Sequence, residues 1–280
     1  MSDISYSTLG LSDRDLASAL DAIADAGFSG VEILGQAPHL EEPPEGQALV
    51  EFQRRLESRG FQSWTVHAPA KRNVPGAPDE SWRQQIIPLL RQYVRFSGAV
   101  GSRGLVVHPV PNPIFVSDPH DSSLPERMQQ AVRRSLDELV PAASAAGTRI
   151  LLENLPYDCE YPLLSMRELR PLVEEYPPEQ VALVIDTGHA WTIGNEPVDE
   201  IRAAGDRLRG THLQDVDRDA PNDNHWIPTH GGLDWDAIRK ALVEIGYTDN
   251  WTFETAQGRH GESPDQLVKQ TRQVATTWGR

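Results

Sequence analysis

Short segments rich in β-branched and aliphatic residues alternate with longer amphipathic stretches from one end of the chain to the other, and this alternation restricts the fold more than any other feature. Repeated βα units of this kind build a parallel sheet, because parallel strands need a long crossover and a helix supplies it. The first unit joins a strand at Ile4–Leu9 to a helix whose Leu16, Ala19, Leu20, Ile23 and Ala24 recur at helical spacing, with Ser12 as the expected N-cap and Gly27 at the end. Further strands are expected at Val31–Leu34, Phe61–His67, Leu105–His108, Arg149–Glu153, Val181–Asp186, Leu208–Leu213 and Trp251–Glu254. Helices are expected at Leu49–Ser58, Trp82–Val100, Glu126–Ala146, Met166–Glu175, Val198–Ala204, Trp235–Gly246 and Ser263–Thr277. The proline-rich connection Pro109–Pro125 is too long for a plain turn, which points to function, and another loop, Gln214–Gly232, precedes the helix at Trp235. Eight strands and eight helices in strict alternation predict a (β/α)8 TIM barrel filling residues 1–280 as a single domain, with a doubly wound open sheet as the alternative.

Composition narrows the function. With 39% hydrophobic and 24% charged residues, the chain carries enough apolar material for a barrel core and is not of disordered composition. No apolar run approaches the ~18 residues of a membrane span, and Met1 to Leu9 lacks the basic and apolar regions of a signal peptide, so a cytoplasmic protein with no membrane association is expected. The single Cys159 has no internal disulfide partner, which leaves carboxylates and imidazoles as metal ligands. A formal net charge of −15 opposes a phosphate backbone, so no nucleic-acid partner is expected. No GxGxxG or P-loop spacing occurs, and a nucleotide cofactor is not implied.

The chemistry-bearing residues share one placement. His67, His108, Glu153, Asp186, His189, His212 and Glu254 stand at or just past the C-terminal ends of predicted strands. In a TIM barrel those ends meet at one mouth, so residues distant in sequence become neighbours. Glu153, Asp186, His212 and Glu254, from the fifth to eighth strands, make a mostly oxygen donor set suited to Mn²⁺, Mg²⁺ or Co²⁺, with Zn²⁺ possible. Such an ion would polarise a sugar carbonyl and acidify the neighbouring C–H. Glu153 and Glu254 on either side of it could then remove a proton from one face and return one to the other, giving epimerisation. A single group or a water carrying the proton to the next carbon would give aldose–ketose isomerisation.

The segments AGFSGVEIL (26–34), VHAP (66–69), VVHP (106–109), LLEN (151–154), VIDTGHA (184–190), THLQDVDR (211–218), DNHWIPTHGGLDW (223–235) and FET (253–255) give the chain a resemblance, over its whole length, to the sugar phosphate isomerase/epimerase group of the xylose-isomerase-like barrels. Its pattern is similar to that of the ketose 3-epimerases. The resemblance implies metal ligation by Glu153, Asp186, His212 and Glu254, with the two glutamates as the acid/base pair. It also implies substrate contacts from His189 and from Arg218, which follows His212 by six residues. The turn expected before the last helix departs from the family's PGEG-like pattern, with Pro228, Thr229, His230 and Gly231 in its place, so that the first Gly and the Glu are absent, and His230 either lines the mouth or is a solvent-exposed loop residue.

The same superfamily contains endonuclease IV, whose three zinc ions imply further ligands here: His67 and His108 with Glu153, then His189, Asp223 and His225. Sugar enzymes of the group keep such histidines to bind hydroxyls, so His67, His108, His189, Arg218 and His225 are equally candidates for substrate binding. Lys71 and Arg72 either hold a substrate phosphate or form a solvated loop pair, and Trp64, Trp191 and Trp226 either stack on a sugar ring or pack the barrel. The expected function is therefore a metal-dependent isomerase or epimerase acting on a small carbohydrate through an enediolate. A dehydratase or keto-glycoside lyase using the same proton abstraction is the first alternative, and a tri-zinc phosphodiesterase the second. Homo-oligomers are common among similar barrels, and one is possible here.

Overall fold

The computed structural model describes residues 4–220 and 222–279. Its eight parallel strands are β1 (Ile4–Ser7), β2 (Gly30–Leu34), β3 (Ser63–His67), β4 (Leu105–Val107), β5 (Ile150–Glu153), β6 (Val181–Asp186), β7 (Leu208–His212) and β8 (Trp251–Phe253). They run in the order β7-β6-β5-β4-β3-β2-β1-β8. The remaining seam, between β7 and β8, is joined by the bridge Leu213↔Phe253 and by the Leu213 amide donating to Thr252 O at 2.8 Å. The barrel is thus nearly closed, and the open-sheet alternative is set aside.

The strands look apolar on both faces because both faces are buried. Alternate residues sort into two separate apolar clusters: Leu105, Val107, Ile150, Leu152, Leu183 and Ile185 pack outward under the helices, while Val106, Leu151, Ala182 and Val184 meet inside the barrel. The outer ring consists of α1 (Leu16–Asp25), α2 (Gly46–Ser58), α3 (Glu80–Ala99), α4 (Leu124–Ala146), α5 (Met166–Glu174), α6 (Thr187–Thr192), α7 (Pro197–Ala204), α8 (Trp235–Glu244) and α9 (Pro264–Thr277). Among the described residues no helix is long and apolar enough to cross a membrane.

Several boundaries differ from the sequence reading. The first strand stops at Ser7 and a 3-10 turn, Thr8–Leu11, follows. The N-cap of α1 is Asp15, whose carboxylate accepts the Ser18 amide at 2.9 Å, while the Ser12 hydroxyl donates back to Leu9 O at 2.7 Å. Helix α4 begins at Leu124, with Pro125 in a first turn that has no need of its missing N–H. The short α6 went unforeseen because its capping residue is also a strand-ending one: the Asp186 carboxylate accepts the His189 amide at 2.7 Å.

The long connection after β7 is organised around a buried carboxylate. Asp215 accepts the Trp235 indole N–H at 2.7 Å and the amides of Val216, Thr229 and Leu233 at 2.9 to 3.1 Å. A Cβ on Gly231 would stand 2.2 Å from Asp215 Oδ1, so only glycine fits where the family-like turn is altered.

Candidate active site

Glu153, Asp186 and His212 end β5, β6 and β7, Glu254 directly follows β8, and all four are buried. Ligand atoms from the four lie within 4.8 Å of one another. His212 Nδ1 is 2.8 Å from Glu153 Oε1 and 3.3 Å from Glu254 Oε2. Three carboxylates and one imidazole gathered this closely out of water repel one another unless positive charge joins them. Protons answer part of that need: burial pushes the Asp186 carboxyl up to about 6. Burial also disfavours the His212 imidazolium, but Glu254, Glu32 and Glu153 outweigh it and raise His212 well above its ordinary value. A divalent cation answers the need more fully, and the donor set fits one that prefers oxygen with a single imidazole.

Glu32 belongs to this site and was given no role in the sequence reading. On β2 it faces the barrel interior; its Oε1 is 2.9 Å from His212 Nε2, and its Oε2 accepts the Thr65 hydroxyl at 2.9 Å. The His212 ring therefore points one nitrogen at the ligand cluster and the other at a buried carboxylate, the arrangement that fixes a metal-binding imidazole in one tautomer. The signal was available: a glutamate in the apolar strand GVEIL, in step with Gly30 and Leu34, has to enter the barrel. Other neighbours hold the carboxylates in place. The Ser7 hydroxyl donates to Glu254 Oε1 at 3.1 Å, and Gln214 Nε2 donates to Asp186 Oδ1 at 3.1 Å and to Asp223 Oδ1 at 2.8 Å.

Three more imidazoles present lone pairs to carboxylates. Nδ1 of His67, His189 and His225 lies 2.8, 2.8 and 2.9 Å from the carbonyls of Ala68, Asn154 and Glu254. A carbonyl only accepts, so each Nδ1 carries a proton and each Nε2 of a neutral ring is an acceptor. Those Nε2 atoms lie 3.3 Å from Glu153 Oε2 for His67, and 3.4 and 3.1 Å from Asp223 Oδ1 for His189 and His225. Two facing acceptors need a proton or a metal ion between them. Burial works against the His225 imidazolium, yet Asp223 wins and raises it to about 9. His108 Nε2 is 3.1 Å from Glu153 Oε2, and there burial prevails and lowers the imidazole. His67, His108 and Glu153 form one further group of potential ligands, and His189, Asp223 and His225 another.

A cavity of about 390 Å³ opens above these residues, within the roughly 300–1,000 Å³ of small-molecule sites. His67, His108, His189, Asp223, His225 and Glu254 line it, joined by Gln36, Lys71, Asn112 and Tyr157. Tyr157 is the aromatic the sequence reading missed. Trp64 donates its indole N–H to Val100 O at the far end of α3, Trp226 stacks under Arg259, and no tryptophan lines the cavity among the described residues. Arg218 also lies off the cavity wall, with its guanidinium 4.8 Å from the Trp191 ring centre. Lys71 and Arg72 part company: the first lines the cavity, the second rests over Trp82. His230 faces Glu262, 3.5 Å away, instead of the cavity.

Comparison with known proteins agrees with this architecture. An uncharacterised protein of Sinorhizobium fredii, y4fM, is 26% identical over 94% of this chain and 88% of its own length. Fructoselysine 3-epimerase of Shigella flexneri is 20% identical over 82% of each chain. A crystal structure of D-psicose 3-epimerase determined with D-fructose superimposes with a TM-score of 0.80 at 16% identity, covering 99% of this chain and 98% of that one, a likeness of fold. The family model described as xylose isomerase-like TIM barrel matches residues 20–277, and the chain belongs to that family.

Proposed function

We propose that this protein is a divalent-metal-dependent sugar isomerase or epimerase, with inversion at C3 of a ketose or related sugar derivative as its leading reaction. The observation that carries the reading is the placement of Glu153 and Glu254, both buried, both within 3.3 Å of His212 Nδ1, and delivered from β5 and from the end of β8, with β6 and β7 between them. A metal bound by Glu153, Asp186, His212 and Glu254 supplies Lewis acidity that polarises a carbonyl and acidifies the C–H beside it. Within the chain, one glutamate takes that proton and the other delivers one to the opposite face of the enediolate. His212 and Glu32 between them hold the pair in register, and Ser7 fixes the outer oxygen of Glu254. The imidazoles of His67, His108, His189 and His225 offer polar contacts to sugar hydroxyls around the cavity. Likeness to two 3-epimerases, fructoselysine 3-epimerase and D-psicose 3-epimerase, supports proton transfer at C3.

The test is incubation of the Mn²⁺-loaded protein with a panel of ketoses in D₂O. Deuterium at C3 is expected. Label at C1 or C2 would make it an isomerase, label with release of water or a glycoside fragment would make it a dehydratase or lyase, and no exchange from any ketose would sink the reading. A second reading, a tri-zinc phosphodiesterase, draws on the two additional ligand groups built around Glu153 and Asp223. The net charge of −15 weighs against a nucleic-acid substrate. Cleavage of abasic DNA without sugar exchange would reverse the order of the two.

A further inference from the structure

We propose that His230, His260 and Glu262 form a separate structural metal site, for zinc or a similar borderline divalent ion, that ties the loop after β7 to the loop after β8. Ligand atoms of the three lie within 4.8 Å of one another, and none of them belongs to the groups at the mouth. His230 Nδ1 stands 3.5 Å from Glu262 Oε1. Metal–ligand distances of roughly 2.0–2.2 Å in a tetrahedron put neighbouring donors about 3.3–3.6 Å apart, so this pair already has the separation a shared ion requires. The nitrogen is buried and has no hydrogen-bond partner among the described residues, a costly state that a ligand bond would relieve.

The rest of the site is held before any ion arrives. Glu262 Oε2 accepts the His260 amide at 2.8 Å, which turns the other carboxylate oxygen towards His230. Gly258 lies so close that a Cβ there would stand 2.6 Å from Glu262 Oε2, and the loop is thereby wrapped around the carboxylate, whose side chain is only 7% exposed. The rings of His230 and His260 have centroids 5.6 Å apart and are tilted by 50°. Arg259 secures both loops, since its guanidinium lies 4.8 Å from the Trp226 ring centre and donates to the His230 carbonyl. Two imidazoles and one carboxylate favour zinc over magnesium or calcium, which prefer all-oxygen shells, and three protein ligands leave a fourth position for water. The ion would brace the connection that carries Asp223 and His225 into the mouth.

The experiment compares the full chain with His260→Ala, an exposed position whose loss leaves the barrel intact, and with Glu262→Gln. Each protein is stripped with a chelator and titrated with Zn²⁺ while bound metal per chain is counted, and Co²⁺ absorption reports tetrahedral coordination. Both variants should bind one equivalent at least about tenfold more weakly than the parent, beyond the lower end of what loss of an outer partner costs. His212→Ala, which disables the mouth, should retain that equivalent with its tetrahedral Co²⁺ spectrum. A change smaller than tenfold in His260→Ala overturns the proposal, whatever the mouth binds.

Discussion

The two ends of the barrel are built from different materials. At the closed end Asn250 Nδ2 donates to the hydroxyls of Ser5 and Ser63 at 2.8 and 2.6 Å, and the Asn250 carbonyl accepts from Tyr247 and Thr211 at 2.5 and 3.3 Å. A Cβ on Gly30 would stand 2.2 Å from Ser5 Oγ, so the floor leaves no space there. These hydroxyl, amide and carbonyl groups are neutral and pair with one another, although Asn250 Oδ1 is buried without a hydrogen-bond partner among the described residues. At the open end, buried carboxylates and imidazoles face one another at 3.1 to 3.4 Å, and each such pair needs a proton or an ion between its partners. A neutral hydrogen bond returns roughly 0.5–1.5 kcal/mol and is complete in itself, whereas gathered buried charges cost more than the chain can recover alone. The floor therefore serves stability, and the mouth gathers the groups that the proposed metal and substrate would engage.

Mutations at the two ends should separate these roles. Glu153→Gln or Glu254→Gln should lower sugar proton exchange by at least ~10²–10⁴-fold, the range for a general acid or base, without lowering the melting temperature of the metal-stripped protein. A fall in that temperature would show that the mouth also supports the fold. Glu32→Gln should weaken binding of the central ion by roughly 10–100-fold, measured by calorimetric titration, because His212 loses the charge that orients it. Asn250→Ala should do the reverse of both: about 1–3 kcal/mol less stability in urea unfolding, with kcat for exchange unchanged. Away from either end, Ser165→Ala removes the capping box of α5 and should cost about 1 kcal/mol with no effect on metal affinity.

Sequence reached the mouth because strand ends are legible. Glu153, Asp186 and Glu254 each close a largely apolar run, His212 closes the more polar strand LRGTH, and barrel geometry brings such strand-end positions together. Glu32 was harder, since it sits in mid-strand, where only the alternation of inward and outward residues reveals that it enters the barrel. Asp215 and Trp226 were illegible for another reason: their partners are backbone amides and a guanidinium fixed by loop paths that no periodicity encodes. Arg218 shows the same limit. A spacing of six from His212 says which residue it is, but its guanidinium lies over Trp191, a residue of the short α6 that the sequence reading did not foresee.

The thin join between β7 and β8 has a consequence for how the molecule breathes. Elsewhere around the ring neighbouring strands share ladders of two to five paired residues, but here one bridge is supplemented by the Thr211 hydroxyl, which bonds Asn250 O and the Thr252 amide. His212 and Glu254 stand on the two lips of that weakest join, 3.3 Å apart. Any widening of the staves at this point pulls on both, so the proposed ion, held by both, would act as a clasp on the cask, with a tightness set partly by how far the staves relax.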